Sequence, residues 1–230
     1  MPLQNRVMPT GEIVAAPPRG LFTGNRGIIH DPATRTLLTR RWSSKAWITC
    51  VCEFRGRRRA VMARQSWTEL FFLDEATALA AGHRPCFLCR CDDAEKFRDA
   101  WQRGNGLARA SAKDIDAVLH AERLAGRAKR LHPLPSAIEQ LPDGAMLQAG
   151  VILRAAVTPK QPAAPAIAGA ACYLIVNGRA LLWSFDGYRG VDAAPLDAQL
   201  LTPPSTLRAL AAGYRPRLHL SPLQHAPTSS

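Results

Sequence analysis

The sequence predicts an α+β protein with a small N-terminal unit, linking helices and a small β-rich C-terminal unit. Three observations predict it. A short apolar stretch, residues 69–73, runs into an Ala-rich segment, which leads directly to Cys86-Phe87-Leu88-Cys89. A second helical stretch starts near Ser111 and carries Ile115, Val118 and Leu119 at helical spacing. Past Pro133 and Pro135 the character changes, and two apolar runs flank Asn177-Gly178, a dipeptide suited to a type I′ hairpin turn.

Taken in order, residues 1–20 read as a loose lead-in, and residues 26–31 and 47–54 as strands. The second strand alternates Trp47, Thr49, Val51 and Glu53 against Ile48, Cys50, Cys52 and Phe54. Arg55-Gly56-Arg57 is expected to turn it back into residues 59–62 as a basic hairpin. Residues 69–73 form the next strand and residues 74–81 a short helix that stops at Gly82. The spacing then predicts a longer helix over 86–101, with Pro85 at its start, Asp92, Asp93 and Glu95 in its early turns, and Phe97 and Trp101 on one face. Gly104-Asn105-Gly106 breaks the chain before the helix from Ser111 to Leu124. Leu141-Pro142-Asp143-Gly144 is a turn, residues 145–157 have strand character, and the Pro/Ala-rich residues 159–169 read as an inserted loop. Thr202-Pro203-Pro204-Ser205 opens a final helix that ends near Gly213.

Composition bounds the class of protein. The chain of 230 residues is long enough to bury a core, and its hydrophobic fraction of 47% is that of a globular protein. No run approaches 18 apolar residues, and prolines interrupt the first 20, so neither a membrane span nor a signal peptide is expected. A cytoplasmic location follows as an expectation, and there the six cysteines suit metal ligands or free thiols better than disulfides. The net charge is +12, and its excess is N-terminal: residues 1–135 carry 23 Lys/Arg against 13 Asp/Glu. Arginine dominates, and its planar fork matches phosphate geometry. A polyanionic partner, nucleic acid and DNA in particular, is the physical reading. Arg55, Arg57, Arg58 and Arg59 on the expected hairpin, with Arg84 and Arg90 beside the cysteines, are the candidate contacts.

Cys86-x-x-Cys89 at an expected helix start presents two thiolates to one tetrahedral metal, half of a zinc site. Cys50, Cys52, His30, His83 and Cys91 are the candidates for the other half. Cys50 and Cys52 are two apart on a strand, about 6–7 Å from each other, so one of them faces the metal. Cys50 is chosen as the one further from the charged turn, and His30 as fourth ligand, with Asp31 behind it; Cys52 and His83 are the alternates. Cys91 is expected as a buried free thiol and Cys172 as core.

Phe71-Phe72 through Ala76, with Ala80-Ala81-Gly82-His83-Arg84-Pro85-Cys86-x-x-Cys89-Arg90, resembles the second half of the Ada-type metal-binding domain of bacterial DNA repair. The resemblance covers roughly residues 20–100. It implies a zinc-stabilised unit over 20–104, leaving 105–135 as a helical linker and 136–222 as a small β-rich domain. The family's first cysteine pair is spaced Cys-x-x-x-Cys and includes the methyl acceptor. Here Cys50-Val51-Cys52 stands instead, so methyl transfer is not expected. His30 resembles the histidine that some relatives use in that half.

A second constellation points to an enzyme. His120-Ala121-Glu122 together with Pro85-Cys86-x-x-Cys89 contains the elements of a zinc nucleobase deaminase in reversed order. His120 or Glu122 would then be the acid/base. Glu122 and Arg123 are alternatively read as lining a pocket or a phosphate contact, or as ordinary helix residues. In the C-terminal part, Trp183 to Arg189 and Tyr214 to His219 interleave aromatics with arginine, a pattern that suits either nucleotide stacking or core packing. The leading expectation is a zinc-binding protein that associates with nucleic acid; the alternative is a zinc-dependent enzyme acting on nucleic acid or a nucleotide.

Overall fold

A computed structural model describes residues 1–56, 60–62, 66–149, 171–191, 195 and 197–221. Residues 1–20 are not a loose lead-in. They form a hairpin of β1 (Gln4–Val7) and β2 (Ile13–Ala15), with Val7 and Ile13 buried. The next strands are β3 (Phe22–Asn25), the two-residue ribbon β4 (His30–Asp31) and β5 (Thr36–Leu37), then β6 (Ile48–Val51) and β7 (Leu70–Phe72). Helix α1 (Glu75–Ala80) and strand β8 (Arg84–Pro85) complete this half. The six-stranded sheet runs β2-β1-β7-β3-β6-β8, with β1 parallel to β7, β6 parallel to β8 and the other pairs antiparallel. The expected return strand over 59–62 is absent at the described residues 60–62; residues 57–59 lie outside the description.

Two longer helices follow, α2 (Cys91–Gly104) and α3 (Ala112–Arg123). Ser111 caps α3 by accepting from the Asp114 backbone N–H, while the Asp114 carboxylate accepts from the Ser111 N–H, so two otherwise unpaired donors are satisfied. A short ribbon, β9 (Leu124–Ala125) and β10 (Ala128–Lys129), leads into an antiparallel second sheet. It comprises β11 (Met146–Ala149), β12 (Ala171–Val176), β13 (Arg179–Ser184), β14 (Gly187–Gly190) and β15 (Gln199–Leu200), in the order β14-β13-β12-β11-β15. Asn177 and Gly178 join β12 to β13 with φ of 50° and 68°, the double positive φ that a type I′ turn requires. The expected strand over 145–157 is β11 as far as Ala149; the rest of it and the 159–169 loop lie outside the described residues. Helix α4 (Pro204–Ala211) closes the chain against α2, with proline at its first position.

Helix α1 is buried along its whole length. Its composition explains how: alanine lets neighbours approach on every side. Ala78 packs with the first sheet, Ala76 and Ala80 with the second, and Leu79 with α2, α3 and α4. Asp74 caps its N-terminus, and Gly82, at φ +85°, ends it in the left-handed conformation. An added Cβ on Gly82 would fall 2.5 Å from Arg123 Cδ, so glycine is required there twice over. The boundaries expected near residues 104 and 135 do not divide the core, because one apolar cluster joins Leu79, Phe97, Trp101, Ile115 and Leu119 to Leu147, Ile175 and Leu210.

Candidate metal centre

Three sulfurs converge at the C-terminal end of β6. Cys50 lies on that strand, opposite Thr23 of β3. On its other side, β8 runs parallel, with Thr49 beside Pro85, and the Cys86 N–H donates to the Thr49 carbonyl at 3.0 Å. That bond fixes where the chain leaves the sheet. The turn that follows closes with the Arg90 N–H on the Cys86 carbonyl, also 3.0 Å. The Cys50, Cys86 and Cys89 sulfurs thereby lie within 4.8 Å of one another. A tetrahedral site with metal–sulfur bonds of about 2.3 Å sets its sulfurs about 3.8 Å apart, so a small closure suffices.

The Cys-x-x-Cys pair does not begin a helix, as its spacing suggested. Pro85 belongs to a strand, and α2 starts only at Cys91, after Arg90. Negative sulfur is supported instead by backbone amides: the Cys89 N–H and the Leu88 N–H, the latter at 3.4 Å, donate to the Cys86 sulfur, and the Val51 N–H to that of Cys89. Hydrogen bonds from Cys50 and then Cys89 hold the Cys86 thiol far below its ordinary value. Cys50, hydrogen-bonded to Cys86 and Cys89 and buried, is pushed far above its own. The hydrogen bonds within the cluster thus favour negative charge on Cys86 over Cys50. A soft cation entering such a donor set displaces those protons. These three cysteines can hold a metal ion.

The other expected ligands are elsewhere. His30 is buried in the β4 ribbon with Nδ1 2.7 Å from Thr68 Oγ1, and it is not among the clustered ligand atoms. β3 ends at Asn25, so the chain turns before reaching it and carries the imidazole away from the sulfurs. Cys52 is exposed, since β6 ends at Val51, and its thiol reaches the Leu21 carbonyl at 3.5 Å. Cys91 is exposed rather than buried, whereas Cys172 is in the core. His83 accepts a hydrogen bond from Arg26 Nε at 3.3 Å, well inside the protein. Among the described residues no fourth Cys, His, Asp or Glu joins the three sulfurs.

No family model, curated protein or solved structure matches this chain.

The remaining site candidates divide sharply. Arg84 and Arg90 are internal and already paired. Arg84 makes a two-pronged contact with Asp116 of α3, both bonds 2.8 Å. Arg90 binds Glu75 and Asp93, each at 2.8 Å, and stacks over Phe22. Neither guanidinium is available to a phosphate backbone. Arg55 is exposed, and Arg57, Arg58 and Arg59 lie outside the described residues. Glu122 faces α4, where its carboxylate accepts from the Ser205 N–H and hydroxyl at 3.1 and 2.6 Å. His120 sits beside Arg123, 2.9 Å from Nη2, with its ring edge-on to Trp42. Neither belongs to the sulfur cluster. The C-terminal aromatics are core: Trp183 donates to Thr77, Tyr188 to Asp74 and Tyr214 to Glu75.

The fold brings together exposed arginines from two basic clusters of the sequence, Arg40-Arg41 and residues 123–130. Arg40, Arg41 and Arg127 are exposed and hold the carbonyls of Ile28, Leu38 and Thr39 respectively. Arg127 comes from the β9–β10 turn, 88 residues from Thr39, so the basic run of residues 123–130 is visible in the sequence but its place beside Arg40 and Arg41 is not.

Proposed function

We propose that this chain is a zinc-binding protein that associates with nucleic acid, DNA in the first instance, through the arginine-rich surface of its N-terminal half. The convergence of Cys50, Cys86 and Cys89 carries the reading. An all-thiolate set with backbone amides on its sulfurs suits zinc among common cellular metals. When bound, zinc would tie β6 to the turn before α2. The resemblance to the Ada-type domain supports the same assignment for Cys86 and Cys89. The polyanion part rests on the charge of +12 and on exposed arginines that make no ion pair among the described residues, Arg19, Arg40, Arg41, Arg55 and Arg127 among them.

Purified protein should contain about one zinc per chain, as a single site requires. Duplex DNA should bind with an affinity that falls with salt, log K changing by about −0.9 per phosphate neutralised. Arg40→Ala, Arg41→Ala and Arg127→Ala together should flatten that slope by two to three units, as expected if each neutralises one phosphate. Equal slopes for wild type and the triple variant would remove these side chains from the interface.

A second reading, a zinc-dependent enzyme, draws on the three-cysteine set, since catalytic zinc keeps a fourth position for water or substrate. His120 and Glu122 are not its acid/base, being committed to Arg123 and to the start of α4. Cobalt substitution distinguishes the readings: a visible spectrum that shifts on adding a small anion marks an open position, and an unchanged spectrum a closed one.

A further inference from the structure

A pocket of about 520 Å³ opens between the β1–β2 hairpin, the β9–β10 ribbon and the chain leading into β6. Its size is within the range of small-molecule sites. Arg26, Arg123 and Lys129 line it, together with Trp42 and Trp47. Arg26 is 2% exposed and Arg123 1%. Their guanidinium carbons sit 3.9 and 3.8 Å from the centre of the Trp47 ring. Arg123 also reaches the carbonyls of Gly82 and Lys45, and the Lys129 ammonium holds that of Ala80.

The charge in this pocket has no ion-paired acid among the described residues; Asp116, itself paired with Arg84, acts on Arg123 only at a distance. None of the ion pairs among the described residues includes Arg26, Arg123 or Lys129. Arg26 Nη2 and Arg123 Nε are buried donors without a partner. His83 cannot serve as an anion, because its Nε2 accepts from Arg26 and burial holds the ring neutral. Glu12, the one acid on the wall among the described residues, is exposed. Burial next to the other two cations pulls Lys129 down to about 7, while burial lowers Arg123 to about 9. Burying charge without a counterion is costly, and proteins tolerate it where a ligand of opposite sign completes the site.

We propose that this pocket binds the phosphate of a small phosphomonoester carried on a planar ring, with Arg26, Arg123 and Lys129 around the phosphate and Trp42 against the ring. Arginine forks and an ammonium are the usual donors to a terminal phosphate, and a half-buried indole offers a face to a flat group. Arg41 and Arg127 at the rim extend the positive field outward and draw anions in. The inference stands apart from the DNA reading, since duplex DNA carries phosphomonoesters only at its ends. The same phosphate could arrive on a free mononucleotide or on the 5′ end of a strand.

Calorimetric titration of the full chain at constant ionic strength tests this, using adenosine 5′-monophosphate, adenosine, inorganic phosphate, and a short single strand with or without a 5′-phosphate. Saturable binding of the monophosphate is expected, with adenosine at least tenfold weaker. Lys129→Met should weaken the monophosphate at least tenfold. Trp42→Ala should weaken the monophosphate but not inorganic phosphate, which keeps the test sound if Lys129→Met folds poorly. Binding of the 5′-phosphorylated strand alone supports the site and identifies a strand end as its source. Adenosine binding as well as its monophosphate, or no binding by any phosphate-bearing probe, overturns the proposal.

Discussion

Removing Asp116 isolates a buried guanidinium. Arg84 and Asp116 are joined by two bonds of 2.8 Å, with side chains 7% and 10% exposed. Asp116→Ala leaves the Arg84 charge away from water, with the Pro85 carbonyl and the Phe87 ring as its remaining partners. Loss of one partner from a buried pair costs about 3–5 kcal/mol. For a chain of this size each kcal/mol moves the melting temperature by about 2–4 °C, so a fall of roughly 6–20 °C is expected by differential scanning calorimetry. The double variant Arg84→Met/Asp116→Leu removes both charges and should recover most of the loss. DNA affinity of the folded Asp116→Ala protein should match wild type, because Arg84 does not face solvent. A melting temperature within 2 °C of wild type, or a double variant less stable than Asp116→Ala, would refute the account of this pair.

Three further outcomes follow from other contacts. Cys50→Ala should lose bound metal, whereas Cys52→Ala and Cys91→Ala, altering exposed thiols outside the cluster, should retain it by elemental analysis. Glu122→Ala should cost about 2 kcal/mol in urea unfolding, since it strips the Ser205 N–H and hydroxyl of a charged acceptor at the start of α4. Lys129, held down to about 7 by burial and then by Arg26 and Arg123, binds its proton more weakly folded than unfolded. Stability should therefore rise with pH between about 7 and the ordinary lysine value, and Lys129→Met should flatten that rise in urea midpoints measured across the window.

The sequence announced those features whose cause is local. Asn-Gly between two apolar runs became the β12–β13 turn, and the break at Gly104-Asn105-Gly106 is where α2 stops. Cys50 was separable from Cys52 by its distance from the charged turn, and the end of β6 at Val51 is the physical reason the two differ. Features set by distant partners were not legible. β1 is a short, half-polar strand whose place comes from pairing with β7, about 65 residues later. Arg84 looked like surface charge because its acid, Asp116, is 32 residues away. Arg123 and Lys129 share the basic run of residues 123–130, and Arg123 is a candidate for a pocket or phosphate contact from sequence, but the meeting with Arg26 is not legible, because only the fold stacks Arg26 and Arg123 on Trp47. Pro85 misled for a different reason: proline suits a helix start, but here its lack of an N–H fits the edge of a parallel pair.

The position of α1 bears on when the protein can fold during synthesis. Asp74 and Glu75 are buried at its N-terminus, and most of what satisfies them is made last: Tyr188, Tyr214, the Arg217 N–H and the His219 N–H. Until about residue 219 has left the ribosome, the completed first sheet would have to enclose two carboxylates lacking those donors. The N-terminal half is therefore expected to wait, partly open, for the C-terminal segment to arrive. Contacts separated by 114 to 145 residues also make the search slow once translation ends. Ribosome-bound chains halted before residue 188 should be cut readily by protease within 70–82, and full-length released chains should not.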